Sequence, residues 1–346
     1  MSATRRSRSI VGVAGVALLL AACSGSASQR PTIPPDATGS VGPAASATPS
    51  AAASFPLTIT DDDGTAVELA TTPEKVVSLT PATTEILFRI GAGDRVVGKV
   101  EDIANFPPES SDVPVVGTFN GVDVEKIVGL DADLVVAGGS GGTPPETIDQ
   151  LRDLKIPVVV VYANDVDGAF HDIELTGQAV GESHAAADLV AAMRAEFDQV
   201  AAATAGVEKP RVFYETGDQP SIFGIADDSV YAEMIDLAGG APVTTGSATN
   251  WEMSVEKLVE ADPELIILGD SAYGVTPEAV SKRPGWSSIR AVKSGAIVGI
   301  DDIVVTRPGP RLVDGLRLLV AAIHPEVGLA PSAAASPAPA ASASGG

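Results

Sequence analysis

The chain has 346 residues, with 22 Lys and Arg against 45 Asp and Glu, for a formal net charge of −23 at pH 7. That balance excludes a phosphate-backbone partner, which needs a basic face, so no nucleic-acid function is expected. A single cysteine, Cys23, excludes an internal disulfide and a thiol metal cluster. The length is enough for two domains.

Residues 1–23 read as a targeting segment. Arg5, Arg6 and Arg8 form a positive n-region, and the apolar stretch over 10–20 is too short to span a bilayer. The segment ends in Leu20-Ala21-Ala22-Cys23, which resembles a bacterial lipobox. That resemblance implies cleavage before Cys23 and acylation of its sulfur, leaving the mature protein lipid-anchored on the extracytoplasmic side of the cell membrane. Residues 24–54 are almost wholly Ser, Ala, Gly, Pro and Thr, a composition unable to bury a core, and read as a flexible tether. The tail over 328–346 repeats the bias and is expected to be disordered.

Globular sequence starts near Phe55. Leu57-Thr58-Ile59-Thr60 and Ala66-Val67-Glu68-Leu69 flank a turn and predict a hairpin. Strands at Val76-Val77-Ser78-Leu79, Arg95-Val96-Val97-Gly98, Val115-Val116 and Val158–Val161 alternate with helices over 81–91 and 148–154. Such alternation predicts an α/β lobe with a parallel sheet over 55–166. Over 167–205, apolar residues recur at intervals of three or four, which predicts one long amphipathic helix, bent near Gly181. At about 1.5 Å per residue it would reach roughly 55 Å, a stiff strut between two lobes. A second lobe over 206–327 holds strands at Arg211–Glu215 and 296–300, helices over 229–238 and 284–292, and a closing helix at Leu312–Ile323. The expected fold is therefore two Rossmann-like α/β lobes, each with a mostly parallel central sheet, joined by one long rigid α-helix.

One stretch occurs twice. Residues 122–136 return as 253–267 without a gap, 131 positions apart, each as a short helix, a turn and four apolar strand residues. Asp123 and Ser254 are the predicted N-caps, with side-chain oxygens for the free N–H groups of the first turn. Two residues on, Glu125 and Glu256 form a symmetric pair of acidic knobs, one per lobe. An acid there also complements the helix dipole, by about 0.3–1 kcal/mol.

Gly138-Gly139-Ser140-Gly141-Gly142 matches the G-x-S-x-G nucleophile elbow, with His324 downstream, and raises an extracytoplasmic serine hydrolase using Ser140. Two repeated lobes do not suit such an enzyme, and no catalytic residue is assigned. His171, His184 and His324 have no i, i+4 partner, so no bare metal site and no resident cofactor are expected. Loops at strand carboxyl ends should line a cleft between the lobes. Phe119, Ser140, Tyr214, Trp251, Tyr273, Arg283 and Arg307 fall in such loops, and aromatics with arginines suit a large, planar or chelated, partly anionic ligand.

Over about 73–326 the chain resembles the metal-chelate and cobalamin substrate-binding proteins of bacterial ABC importers. The resemblance rests on Val76-Val77-Ser78-Leu79-Thr80-Pro81-Ala82-Thr83-Thr84-Glu85, on Gly91-Ala92-Gly93-Asp94-Arg95-Val96-Val97-Gly98, on Val116-Gly117-Thr118-Phe119, and on both repeat copies. It implies a monomer that hands a metal chelate to a permease and ATPase complex, with Glu125 and Glu256 docking on the permease. Haem-binding members place a ligating tyrosine where this chain has Thr118, and cobalamin-binding members line the cleft with aromatics, where Ile103 and Gly138 replace two of them. Arg283, Arg307 and Arg311 favour an anionic ferric siderophore, with cobalamin next and haem as a further alternative.

Overall fold

The computed structural model describes residues 54–329 apart from 119, 140 and 141. The leader, the tether, all but the start of the tail, and the expectations for Cys23, Phe119 and Ser140 lie outside the described residues.

Short β-branched runs make the strands of the first lobe. The hairpin of β1 (Leu57–Thr60) and β2 (Ala66–Leu69) precedes β3 (Val76–Ser78), α1 (Pro81–Arg89) and β4 (Val96–Val100). Then come β5 (Val115–Thr118), β6 (Gly121–Val122), α2 (Val124–Gly129), β7 (Leu134–Gly138), α3 (Pro145–Asp153), β8 (Val158–Val161) and α4 (Val166–Val180). The six-stranded sheet runs β6-β5-β4-β3-β7-β8, parallel except for the edge pair of β5 and β6. Helices cover both faces, which is why β7 and β8 are buried along their whole length instead of alternating.

After α5 (Ser183–Ala203) the second lobe holds β9 (Arg211–Glu215), α6 (Val230–Leu237), β10 (Ala241–Pro242), α7 (Val255–Ala261) and β11 (Leu265–Leu268). It ends with α8 (Pro277–Ser281), α9 (Arg290–Ser294), β12 (Ile297–Gly299), α10 (Asp302–Thr306) and α11 (Leu312–Ile323). Its four strands run β10-β9-β11-β12, all parallel. In both sheets the chain leaves the first strand toward one edge and returns to its other side, so β3/β7 and β9/β11 are matching switch points. Ligands of open α/β sheets bind at the carboxyl ends of such strand pairs.

The repeat copies match in their caps, turns and strand ties. The Asp123 side chain accepts the Lys126 N–H at 3.0 Å and the Ser254 hydroxyl accepts the Lys257 N–H at 3.2 Å. Asp131 and Asp262, 131 positions apart, both turn the chain through left-handed conformations, at φ +53° and +47°. Asp133 accepts the N–H of Lys75 just before β3, and Glu264 accepts that of Arg211 at the start of β9. Each copy thus ties its own strand to the first strand of its lobe.

The single helix expected over 167–205 is two helices. α4 stops at Val180, Gly181 takes φ +78°, and α5 starts at Ser183 and runs back along α4. Phe170, early in α4, meets Phe197, late in α5, edge to face at 5.4 Å, and Arg194 reaches Asp167 at 2.8 Å. Gly177 is needed at this crossing, because a Cβ would overlap that of Ala186. α4 therefore belongs to the first lobe. The connecting helix is α5 alone, 21 residues, or about 32 Å at about 1.5 Å per residue. Among the described residues no helix is long and apolar enough to cross a membrane.

Candidate functional site

Two adjoining chambers of about 600 Å³ each open between the lobes. They share Thr80, Pro81, Gly142, Ile303 and Arg307. The first is further lined by Leu79, Val100, Asp102, Ile103, Val122 and Tyr273, the second by Gly138, Tyr162, Asp172, Tyr231 and Thr306. Most of the first-lobe residues stand at the carboxyl ends of β3, β4, β7 and β8, joined by Val122 of β6 and Asp172 of α4, and the second lobe contributes α10 with its neighbours.

Local structure holds this wall in place. Thr80 caps α1, its hydroxyl accepting the Thr83 N–H at 3.0 Å, while Ser78 Oγ bonds Thr83 and Thr84 at 2.5 and 2.8 Å. Gly138 faces Thr80 so closely that a Cβ would lie 2.6 Å from the threonine methyl. At the switch point of β3 and β7 the side chains are thus small, and the space beyond them is open.

Across the floor, two arginines of the second lobe are clasped by two carboxylates of the first. Arg307 donates to Glu85 Oε1 at 2.5 Å and to Asp102 at 2.7 and 3.0 Å. Arg311 donates to Glu85 at 2.7 and 3.0 Å and lies 3.9 Å over the ring of Phe106. All four side chains are largely buried, Glu85 to within 1 % exposure. Burial opposes charge on Asp102, but hydrogen bonds from Arg307 and from the N–H of Phe106 and Ala104 hold its carboxyl below the usual range. Burial likewise opposes charge on Arg307, and its bonds to Asp102 and Glu85 hold its pKa above the usual value. The clasp carries two positive and two negative charges.

The expected site residues divide accordingly. Arg307 lines both chambers and Tyr273 stands exposed at the first. Tyr214 does not line the cleft: it is fully buried, donates to Asp302 at 2.7 Å, and packs edge-on against Tyr231. Trp251 also sits behind Tyr231, ring centroids 5.6 Å apart, and lines neither chamber. Arg283 is spent within the second lobe on Glu215 at 2.5 and 2.9 Å and on Asp218 at 2.9 Å, over the ring of Trp286. Two aromatic side chains that reach the second chamber, Tyr162 and Tyr231, are not among the expected residues. Tyr162 directly follows β8, a strand-end position that could have flagged it.

Glu125 and Glu256 are exposed in the first turns of α2 and α7, and neither is in an ion pair with another described residue. His324 is buried on α6's side of the second lobe, bonding the Gly239 carbonyl at 2.9 Å and Glu326 at 3.2 Å, so its ring is not available to a serine elsewhere. Burial, then a hydrogen bond and repulsion from Asp62, push the Asp172 carboxyl up to about 8. Burial pushes Glu215 up to about 7 against the pull of Arg283. Among the described residues no group of three or more His, Cys, Asp or Glu is placed to hold a metal ion.

Two parallel-sheet lobes, one connecting helix and a deep cleft at the strand ends define a substrate-binding protein of the two-lobed periplasmic type. Residues 76–304 match the family model described as periplasmic binding protein, and the chain belongs to that family, the substrate-binding components of ABC importers. It is 36 % identical over 278 residues to an uncharacterized ABC transporter substrate-binding lipoprotein of Bacillus subtilis, covering 79 % of this chain and 87 % of the relative. It is 31 % identical over 305 residues to a cobalamin-binding protein of Halobacterium salinarum, covering 85 % and 81 %. Among solved structures, the periplasmic haem-binding protein of Roseiflexus sp. RS-1 in apo form is similar at TM-score 0.65 and 26 % identity, over 74 % of this chain and 99 % of that one.

Proposed function

We propose that this chain binds a corrinoid of the cobalamin class between its lobes and delivers it to an ABC importer. The observation that carries the ligand is the state of the arginines: Arg307 and Arg311 are matched by Glu85 and Asp102, and Arg283 by Glu215 and Asp218. The charge that favoured a ferric siderophore is thus already compensated. What faces the space is chiefly aliphatic, aromatic and hydroxyl surface, with Arg307 and Asp102 paired to each other and the acids Glu101 and Asp172 beside them, suited to a large ligand with apolar faces and a rim of uncharged amides. The cobalamin-binding relative supports the same choice.

Glu125 and Glu256 are the docking acids, exposed at matching positions and ready to pair with permease arginines, while acylated Cys23 and the tether over 24–54 keep the protein, a monomer, at the outer face of the membrane. The ligand is tested by titrating the lipid-free mature chain with cyanocobalamin, a ferric hydroxamate, a ferric catecholate, haem and free metal ions, following tryptophan emission. Trp251 sits against the chamber-lining Tyr231, so saturable quenching by cyanocobalamin is expected. Saturation by a ferric chelate alone would contradict the assignment and return siderophore to first place.

A further inference from the structure

The clasp on the cleft floor joins the lobes, but its composition does more than a brace requires. A brace needs one pair. Here Glu85 accepts from both arginines and Asp102 chelates Arg307 with both oxygens, so no guanidinium charge is left over. The shared member, Arg307, lies on the wall of both chambers. A planar guanidinium fork on a cleft wall is what a carboxylate, catecholate or propionate would seek, and here its donors already point into protein carboxylates. Asp102 is held further by the N–H groups of Ala104 and Phe106, at 3.0 and 3.1 Å, so it cannot easily swing aside for a competing anion.

We infer that Glu85 and Asp102 form a charge filter that occupies Arg307 and Arg311 and so discriminates against anionic chelates in favour of uncharged ligands of the same size. This rests on the corrinoid reading and adds its exclusion rule. A ligand bearing carboxylates must either break a buried, hydrogen-bonded ion pair or leave its own charge unpaired in the cleft, and both are costly.

The test measures dissociation constants for cyanocobalamin and for a ferric tris-catecholate with the lipid-free mature chain and its Glu85→Gln, Asp102→Asn and Ile103→Lys variants. Each amide replacement keeps the shape and an acceptor oxygen while releasing one positive charge. Ile103→Lys adds a positive charge at an exposed wall position without touching the clasp and calibrates the gain from one unmatched cation, so a parent chain that already binds the tris-catecholate as tightly as this variant would overturn the filter even where a clasp variant does not fold. Each variant should raise the affinity for the tris-catecholate relative to cobalamin by about tenfold at low salt, and the gain should shrink at high salt. A clasp that only braces the lobes would weaken both ligands together and leave their ratio unchanged, with no salt dependence, and that result would overturn the filter. A parent chain that binds no cobalamin would overturn the corrinoid reading instead, while the tris-catecholate arm would still judge the filter.

Discussion

The two lobes are built on one plan and used differently. In both, the chain forms a parallel sheet whose switch point lies between its first strand and the strand of the repeated unit. Both carry a capped helix that exposes a glutamate. At the first lobe's switch point stand Thr80, Gly138 and Gly142, and the strand ends open into space. At the second lobe's switch point stand Tyr214, Glu215, Asp270 and, against them, Arg283 and Asp302, and the same place is filled. Gly269 shows how tightly: a Cβ there would lie 2.6 Å from the Tyr214 ring and 2.8 Å from Asp302 Oδ1. The lesson is that shared topology fixes where a site can be, while side-chain volume at the switch point decides whether it exists. Here the first lobe supplies most of the pocket and the second mainly closes it.

The sharpest way to test the equivalence of the lobes is at the docking knobs. Charge reversal at both Glu125 and Glu256 should abolish uptake in cells while cyanocobalamin affinity of the purified chain is retained; reversal of only one should leave partial uptake. Lost ligand affinity would sink the docking assignment. The next largest effect is expected at the clasp. Arg307→Ala leaves Glu85 to Arg311 but strands the buried Asp102 without a cation, and should lower stability by about 3–5 kcal/mol, read from urea denaturation.

Filled and open switch points should also respond differently to an added methyl. Gly269→Ala presses on a buried ring and on the Glu215 carbonyl, 3.0 Å away, and should cost about 1–3 kcal/mol. Gly138→Ala meets the Thr80 methyl at an equally short 2.6 Å, but this is a single contact on a side chain that borders open space, so a smaller stability cost should be joined by weaker ligand binding. Calorimetric melting and a cobalamin titration separate the two. Asp172 then gives a pH signature for the first lobe. Its folded pKa of about 8 lies above the ordinary carboxyl value, so the fold favours the protonated form. That preference is fully present below about pH 4, and stability is lost as pH rises through the folded value near 8. Asp172→Asn should therefore raise Tm by several degrees at pH 8 and change it little at pH 4. The smallest and most symmetric effect is at the caps, where Asp123→Ala and Ser254→Ala should each cost about 1 kcal/mol.

Much of this structure is legible in local sequence patterns. The repeat located both N-caps, both turns and both inner strands, because caps and short apolar strands depend on residues a few positions apart. The break between α4 and α5 was hidden because helical periodicity continues through it. A single glycine at 181 marks both a bend and a reversal, and only the tertiary fit of Gly177 against Ala186 decides between them. The pocket was legible as a cleft at strand ends but not in its charge. Arg307 and Glu85 are 222 positions apart, and no spacing rule links an arginine in a loop to an acid inside a helix. Tyr214 departs from its expected place for a related reason: the end of a strand can face the cleft or the interior, and here Asp302 draws its hydroxyl inward.

The central claim is that the ligand lies between the lobes, against both of them. Hydrogen–deuterium exchange of the lipid-free chain with and without saturating cyanocobalamin tests it most directly. Added protection is expected in both the strand-end segments around 79–82, 100–103 and 138–144 and the second-lobe segments around 230–231 and 303–308. Protection confined to one lobe, or centred on the filled switch point around 214–218 and 269–270, would contradict it.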